Sequence, residues 1–200
     1  MQSWVIGSCY FVTVPLADSG EVSEVVNWVL QSLRLELRPC TDADVDLLLD
    51  HWTQPSVRRY LFDDHITDRE TVASLVAASS ASFQKSNYGL WVLIGTDKQF
   101  QGVCGFCETP LEKCDLMFSI APPYWGQGLA TESARCVLQY AFDTLGFEKI
   151  TSTVDQPNKA SIRVLEKLGM SLVKEQLNNN NPILYYALTA RDYYTQNALS

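Results

Sequence analysis

The hydrophobic pattern of the chain changes character near residue 35. Before that point, residues 4–14 form an apolar run rich in β-branched and aromatic side chains, which predicts a strand, and apolar residues from Val22 to Leu33 recur at helical spacing. From Leu35 onward, short apolar runs alternate with helical stripes. We therefore predict two parts, a strand–helix appendage over residues 1–34 and a domain over residues 35–200.

Strands and helices alternate through the second part. The TDAD segment at 41–44 and the Thr67-x-x-Glu70 pattern are capping boxes, each of which predicts a helix start. The predicted strands cover residues 35–40, 90–96, 100–108, 114–120, 149–155, 171–177 and 183–188, and helical stripes lie at 45–52, 72–83, 130–145 and 158–168. This order predicts a mixed α/β fold, in which helices cover both faces of a mixed sheet.

Composition narrows the class of protein. Of the 200 residues, 46% are hydrophobic and 11% aromatic, which is typical of a globular chain. A net charge of −8 argues against nucleic-acid binding, which needs a basic footprint. No Lys or Arg precedes Arg34, and the N-terminal apolar run is too short to span a bilayer. We therefore expect a cytoplasmic protein without nucleic-acid or membrane partners.

Six cysteines are scattered along the chain without the spacing of a disulfide framework, so free and mostly buried thiols are expected. Cys104 and Cys107 form a C-x-x-C pattern, but they lie on a predicted strand, where an odd separation sends the two side chains to opposite faces. No second pair and no histidine cluster completes a zinc site. We predict no metal.

The connection after the strand at 114–120 carries the clearest chemical signal. Gly126 and Gly128 allow a sharp bend and a close approach of the backbone to a ligand. The helix that follows begins with N–H groups that have no acceptor within the helix, and its dipole adds positive potential. Such a turn is suited to an anion, although a tight strand–helix turn could need the same glycines for geometry alone.

The residues around the two glycines resemble a family motif, and this resemblance favours the anion-binding turn. YWGQGLATES at 124–133 resembles the acetyl-CoA-binding turn of the GNAT acetyltransferase superfamily, particularly its RimJ/RimL-like branch, which acetylates protein N-termini. Gly128 and Ala130 match the family signature (Arg/Gln)-x-x-Gly-x-(Gly/Ala), and Trp125 stands at the Arg/Gln position. NKASIRVLEKLGM at 158–170 resembles the second family signature. The resemblance covers about residues 35–190.

The resemblance implies a GNAT fold, a twisted and mostly antiparallel sheet of about seven strands whose fourth and fifth strands splay apart around the cofactor. It implies acetyl-CoA as cofactor. The residues that it assigns to the cofactor are Phe118, Ser119, Ile120, Trp125, Gly126, Gln127, Gly128, Leu129, Ala130, Thr131, Asn158, Ser161 and Lys167. Asn158 is also expected to cap its helix, and a solvated basic face is an alternative for Lys167, together with Lys159 and Arg163.

Acetyl transfer needs an amine that loses a proton and a thiolate that gains one. Many family members use a tyrosine seven residues after the leading Asn, but here that position is Leu165. Ser161 matches a serine proposed to donate to the CoA sulfur in the N-terminal-acetylating branch. Asp115 and Glu108 are the favoured bases, either of which could instead be a solvated strand-end charge; Glu175, His51 and His65 are further candidates.

The predicted function is direct transfer of the acetyl group to an amine in a ternary complex. A protein N-terminal α-amine is favoured, a lysine or a small-molecule amine is possible, and the segments 53–67 and 176–183 are expected to shape the acceptor pocket. The alternatives are a non-catalytic acyl-CoA-binding sensor or scaffold, and a structural partner that dimerises through residues 1–34. Either a monomer or a homodimer is compatible with the sequence.

Overall fold

Short apolar runs of β-branched and aromatic residues form the strands of this protein, and amphipathic stripes form its helices. The computed structural model describes residues 28–62, 64–107, 114–178 and 181–198. The strand predicted at 4–14 and most of the appendage helix lie outside these residues. The strands are β1 Leu30–Gln31, β2 Leu35–Pro39, β3 Leu90–Gly95, β4 Phe100–Cys107, β5 Asp115–Ile120, β6 Lys149–Asp155, β7 Ser171–Asn178 and β8 Asn181–Thr189.

Helices connect and follow these strands. They are α1 Val45–Trp52, α2 Pro55–Arg58, α3 Arg69–Ser86, α4 Leu129–Gln139, α5 Lys159–Lys167 and α6 Ala190–Ala198. A 3₁₀ turn precedes α1, where Thr41 and Asp44 form the predicted capping box, and a second one covers Pro122–Tyr124. The chain thus alternates strands and helices as its hydrophobic pattern predicts.

One eight-stranded sheet organises the fold, in the order β1-β2-β3-β4-β5-β6-β8-β7. Neighbouring strands are antiparallel except β5 and β6, which are parallel and share a single aligned pair, Asp115 with Thr151. Beyond that pair the two strands diverge. The mixed, mostly antiparallel sheet with a splay between these strands is therefore confirmed, and β1 adds an eighth strand to the seven expected.

Helices cover both faces of the sheet, as predicted, and each face has its own core. On what we call the α1 face, helices α1 and α3 pack against alternate strand residues such as Val92 and Val103. On the opposite α4 face, helices α4 and α5 pack against their neighbours Trp91 and Cys104. Alternation along β5 places Met117 with the α1 face and Leu116, Phe118 and Ile120 with the α4 face.

Three local predictions are corrected, and one helix was missed. The helical interpretation is wrong at Leu30, which pairs with Leu37 in strand β1 and is 1% exposed in the core. Helix α3 is capped by Asp68, not Thr67, since the Asp68 carboxylate accepts a hydrogen bond from the Thr71 N–H. The α4 helix changes to a π-helical turn over Tyr140–Thr144, and the C-terminal helix α6 was not predicted.

Among the described residues, four of the five cysteines are free, as the sequence predicts. Cys40, Cys104, Cys107 and Cys114 are free, whereas Cys136 is disulfide-bonded. Within the described ranges, no group of His, Cys, Asp and Glu side chains is arranged to hold a metal ion. In the same part of the chain, none of the helices has the length and apolar character needed to cross a membrane.

Candidate active site at the splay of the sheet

The divergence of β5 from β6 opens a cleft of about 590 Å³ through the sheet. Residues of both faces line it, among them Met117 and Ser119 from the α1 face and Phe118 and Ile120 from the α4 face. Eleven of the predicted site residues meet here, namely Asp115, Phe118, Ser119, Ile120, Trp125, Gly126, Gly128, Leu129, Ala130, Asn158 and Ser161. Gln127, Thr131 and Lys167 do not line the cleft.

The turn between β5 and α4 closes the α4 face of the cleft. Gly126 and Gly128 have φ values of 74° and 80°, in the left-handed region that side chains other than glycine rarely adopt. The Trp125 indole N–H donates to the Ile120 carbonyl oxygen at 2.6 Å and fastens the turn to the end of β5. Gly128 directly precedes α4, so the first N–H groups of that helix lack intrahelical acceptors at the cleft wall. The turn therefore has the geometry of an anion cradle.

Arg34, from the connection between β1 and β2, braces this turn from outside the cleft. Its Nη2 donates to the Gln127 carbonyl at 3.0 Å, and its Nε donates to Glu132 Oε2 at 2.7 Å. Partial burial opposes ionisation of Glu132, but hydrogen bonds from Ser32 and Arg34 outweigh it and lower the pKa of this carboxyl. Sequence reasoning missed this brace, because Arg34 and Gln127 are 93 positions apart.

Helix α5 presents its N-terminus to the same cleft. Asn158 caps the helix as predicted, since its Oδ1 accepts a hydrogen bond from the Ser161 N–H at 3.1 Å. This bond uses only the amide oxygen, so the amide NH₂ keeps its donor capacity at the cleft wall. Ser161 is half-buried beside it. Lys167 lies at the far end of α5, where its carbonyl accepts from Arg135, and the fold does not bring it to the cleft.

Asp115 lies where β5 and β6 separate and is buried. Its Oδ1 accepts a hydrogen bond from the Thr151 hydroxyl at 3.0 Å, and alternation places it on the α1 face with Met117 and Ser119. Glu108 falls outside the described residues. Glu175 is exposed on β7, and His65 is exposed with Nδ1 3.1 Å from the Phe62 carbonyl; neither lines the cleft. Of the carboxylates among the described residues, Asp115 is thus the one at the cleft wall.

His51 is also buried, at the last turn of α1. Its Nε2 lies 2.7 Å from Ser119 Oγ, so it contacts the cleft wall through that serine. Burial lowers the pKa of His51 to about 4, against which the hydrogen bond with the Ser119 backbone acts only in part. The imidazole is therefore neutral near pH 7, and because it reaches the cleft only through Ser119, it is not placed to take a proton from an amine directly.

The segment that follows α1 lines the α1 face of the cleft, and its predicted part in an acceptor pocket, for residues 53–67, stays a prediction. It contributes Ser56, Val57, Arg59, Tyr60 and Leu61 to the cleft. The Arg59 guanidinium lies 5.3 Å from the centre of the Tyr60 ring. The neighbouring Arg58 instead pairs with Asp64 at 2.9 Å. The α1 face therefore carries one cation, Arg59, and one anion, Asp115, among the described residues that line the cleft.

The thiol of Cys107 at the cleft is a weak nucleophile. Cys107 lines the cleft, but burial and then the nearby Asp115 raise its pKa to about 11. Burial raises the pKa of Cys104 to about 12. Since the thiolate is the reactive form, neither side chain is activated for covalent catalysis near neutral pH.

Comparisons with known proteins agree with this geometry. The model of the acetyltransferase (GNAT) domain family matches residues 34–171. The protein YkkB of Bacillus subtilis is 38% identical over 108 residues, which cover 51% of this chain and 63% of that protein. The match therefore spans less than two thirds of that relative.

Solved structures show the same fold. The spermidine N-acetyltransferase of Vibrio cholerae, in complex with CoA and spermine, has a TM-score of 0.67 at 17% identity and covers 80% of this chain and 98% of its own. The Salmonella typhimurium acetyltransferase that modifies the N-terminal serine of ribosomal protein L7/L12 has a TM-score of 0.65 at 20% identity, with coverages of 79% and 96%. Family match, fold and cleft agree: the chain belongs to the GNAT acetyltransferase family and is an acetyl-CoA-dependent N-acetyltransferase.

Proposed function

We propose that this enzyme acetylates the α-amine at the N-terminus of a peptide or protein. The observation that carries the proposal is the charge of the α1 face, where one carboxylate, Asp115, and one guanidinium, Arg59, line the cleft. An N-terminal residue offers a single ammonium group followed at once by carbonyl oxygens. The carboxylate suits the ammonium group, and the guanidinium suits the carbonyl oxygens as a donor.

A polyamine fits this wall less well. Such a substrate carries several positive charges and gains most from several carboxylates, whereas the described cleft residues offer one and add the positive charge of Arg59. Arg59 is also exposed at the cleft, so an incoming acceptor would have access to its guanidinium. Charge complementarity therefore favours an acceptor with one amine and neighbouring oxygens.

We assign the α4 face to acetyl-CoA. The N–H groups from Gln127 to Thr131 would bind the pyrophosphate, with Trp125 and Gly126 shaping the turn around it. The backbone of Phe118, Ser119 and Ile120 would hold the pantetheine arm in the gap between β5 and β6, although the Ile120 carbonyl already accepts from Trp125. The amide NH₂ of Asn158 is free to bond the same arm. Lys167 is assigned only to long-range attraction of the phosphates.

The reaction would proceed by direct attack. Asp115 would bind the ammonium group and accept its proton, and Glu108 remains a second proposed base. The amine nitrogen would then attack the thioester carbon, and the tetrahedral intermediate would expel the CoA thiolate as the amide bond forms. Ser161 would protonate the thiolate and take up in return the second proton that the nitrogen loses. The unreactive Cys104 and Cys107 thiols support transfer without an acetyl-enzyme.

The test is an acetylation screen with acetyl-CoA over N-terminal peptides, polyamines and aminoglycosides, read by mass spectrometry and by release of free CoA. We expect peptide α-amines to be the best acceptors, and the acetyl group to appear on the first residue. Preferential acetylation of spermidine or an aminoglycoside would overturn the assignment of the acceptor. Binding of CoA without turnover of any amine would instead favour a sensor.

A further inference from the structure

A buried histidine contacts the cleft wall without lining the cleft itself. His51 is 2% exposed, and the Phe100 ring packs edge-on against its imidazole at 5.2 Å. Its Nε2 lies 2.7 Å from Ser119 Oγ and 3.3 Å from the Ser119 carbonyl oxygen. Ser119, unlike His51, lines the cleft. The imidazole therefore reaches the site only through this serine.

The surroundings of His51 select one tautomer. Nδ1 is buried and has no hydrogen-bond partner among the described residues. A proton on Nδ1 would leave a buried N–H unpaired and would turn the Nε2 lone pair toward the Ser119 carbonyl oxygen. A proton on Nε2 donates to Ser119 and leaves only a lone pair unsatisfied, which proteins tolerate more often than an orphaned N–H. The neutral ring therefore carries its proton on Nε2.

This tautomer determines how the Ser119 hydroxyl is used. With Nε2–H as donor, Ser119 Oγ accepts, and its own hydrogen is left to donate elsewhere. The side chain lies on the α1 face together with Asp115 and Met117. Because Ser119 lines the cleft, its hydroxyl hydrogen can point into the cleft, on the face that carries the proposed acceptor charges.

We propose that His51 is a positioning residue that fixes Ser119 as a hydrogen-bond donor to an oxygen of the acceptor next to the reacting amine. Ser119 is then a specificity-determining residue, which favours an amine with a neighbouring carbonyl or hydroxyl over a simple alkylamine. This inference rests on the proposed acetylation of N-terminal α-amines. It adds a side-chain role to a residue whose backbone alone the family resemblance assigns to the cofactor.

The tautomer can be observed directly by NMR of the ¹⁵N-histidine-labelled protein. The chain has two histidines, His51 and His65, so a His65→Gln variant assigns the signals. We expect the Nε2–H form for His51. In Ser119→Ala we expect the His51 Nε2 signal to shift, because the variant removes the hydroxyl that accepts from Nε2–H. Observation of the Nδ1–H form at neutral pH would overturn the proposal, whatever the substrate.

Kinetics tests the role of the pair. Loss of one neutral hydrogen bond should raise the KM for a peptide α-amine about tenfold in Ser119→Ala, with little change for a propylamine acceptor and none in the dissociation constant of CoA. His51→Leu should show the same loss, and the double variant no further loss, because the two residues act as one unit. His51→Gln, which keeps a donor at the position of Nε2, should recover most of the activity.

Several results would contradict the inference. If the loss fell on acetyl-CoA instead of the acceptor, Ser119 would donate to the cofactor. If Ser119→Ala raised the KM equally for both amines, Ser119 would have no role in selectivity. If the two single effects added in the double variant, His51 would act independently of Ser119. Should His51→Leu fail to fold, Ser119→Ala and His51→Gln still carry the comparison, and His65→Gln serves as the matched control with unchanged kinetics.

Failure of the proposed function has a different signature. In that case the enzyme would prefer another class of amine. The His51 tautomer and the preference of Ser119 for an acceptor with a neighbouring oxygen would still be observed. A pair of amines from the accepted class, one with and one without an adjacent hydroxyl, then repeats the same test. Equal effects of Ser119→Ala on both members of that pair would refute the inference alone.

Discussion

The two faces of the cleft are built in different ways. On the α4 face, the proposed cofactor-binding part is a nearly continuous piece of chain, the turn from Ala121 to Gly128 and the start of α4, completed by the N-terminus of α5. This part is proposed to bind through backbone groups. On the α1 face, the cleft is lined by side chains from separate elements, Asp115 and Ser119 on β5 and Arg59 beside α2, and His51 on α1 contacts Ser119 without lining the cleft itself.

This difference explains which part of the function a sequence motif can predict. A backbone cradle needs particular residues at fixed spacing, because left-handed φ values and a helix start leave little choice. A wall of side chains can change residue by residue while the sheet stays the same. The cofactor therefore follows from the family, whereas the acceptor must be inferred from the side chains of this chain.

The largest effect that we expect is a loss of folding stability in acid, caused by His51 behind the α1 face of the cleft. Its pKa is about 4 in the folded state and about 6.5 when unfolded, so the unfolded state binds the proton first. The contribution of neutral His51 to the free energy of unfolding is therefore fully present above about pH 6.5, and about 3 kcal/mol of it is lost as the pH drops to 4. Urea denaturation across this range measures it.

The His51→Gln variant supplies the control for the acid effect. It should flatten the stability curve between pH 6.5 and 4, while the loss below pH 4 persists, because the lowered pKa values of Asp44 and Glu132 belong to the wild type and the variant alike. An unchanged curve between pH 6.5 and 4 would show that His51 is not protonated on unfolding in this window.

A carboxylate in the turn should damage the α4 face alone. Gly128→Asp is expected to weaken CoA binding about a hundredfold, since it adds a negative charge to the turn proposed to bind the pyrophosphate. Gly128→Asn is the matched control, because Asn has nearly the same shape and tolerates the left-handed φ of 80°. Isothermal titration with CoA measures both variants. Equal affinity in the two would contradict the cradle.

Removing the charge of Asp115 should damage the α1 face alone. Asp115→Asn keeps an oxygen for the Thr151 hydroxyl, so the strand junction should persist. We expect kcat/KM for the amine to fall about thirtyfold, as for loss of a charge-assisted hydrogen bond, with CoA affinity unchanged. Steady-state kinetics measures this, and Asp46→Asn, an exposed carboxylate on α1, should behave as the wild type.

The smallest expected effect belongs to Arg59. Replacement by Gln removes an exposed positive charge, which should lower kcat/KM for a peptide about threefold and improve spermidine as an acceptor by a similar factor. Arg58→Gln, which affects the neighbouring guanidinium paired with Asp64, is the control. A peptide-to-spermidine ratio that does not change in Arg59→Gln would remove this residue from acceptor selection.

The outcome of the sequence predictions follows the distinction between the two faces. The strands of the sheet, the Asn158 cap and the glycine turn were predicted because each has a local pattern of periodicity, capping or backbone freedom. Leu30 was misassigned, because a few apolar residues can satisfy both a helical stripe and a short strand. The division at residue 35 and the roles of Ser161 and Glu108 remain predictions.

The sequence by itself determined the family, the cofactor and the glycine turn before α4, since all three depend on residues that are neighbours in the chain. Only the tertiary structure decided that Arg34 braces the turn and that His51 meets Ser119 across 68 positions. The same is true of Arg59 and Asp115, which share one face of one cleft. Such contacts depend on the packing of α1 and on the splay of two strands, and no local pattern encodes them.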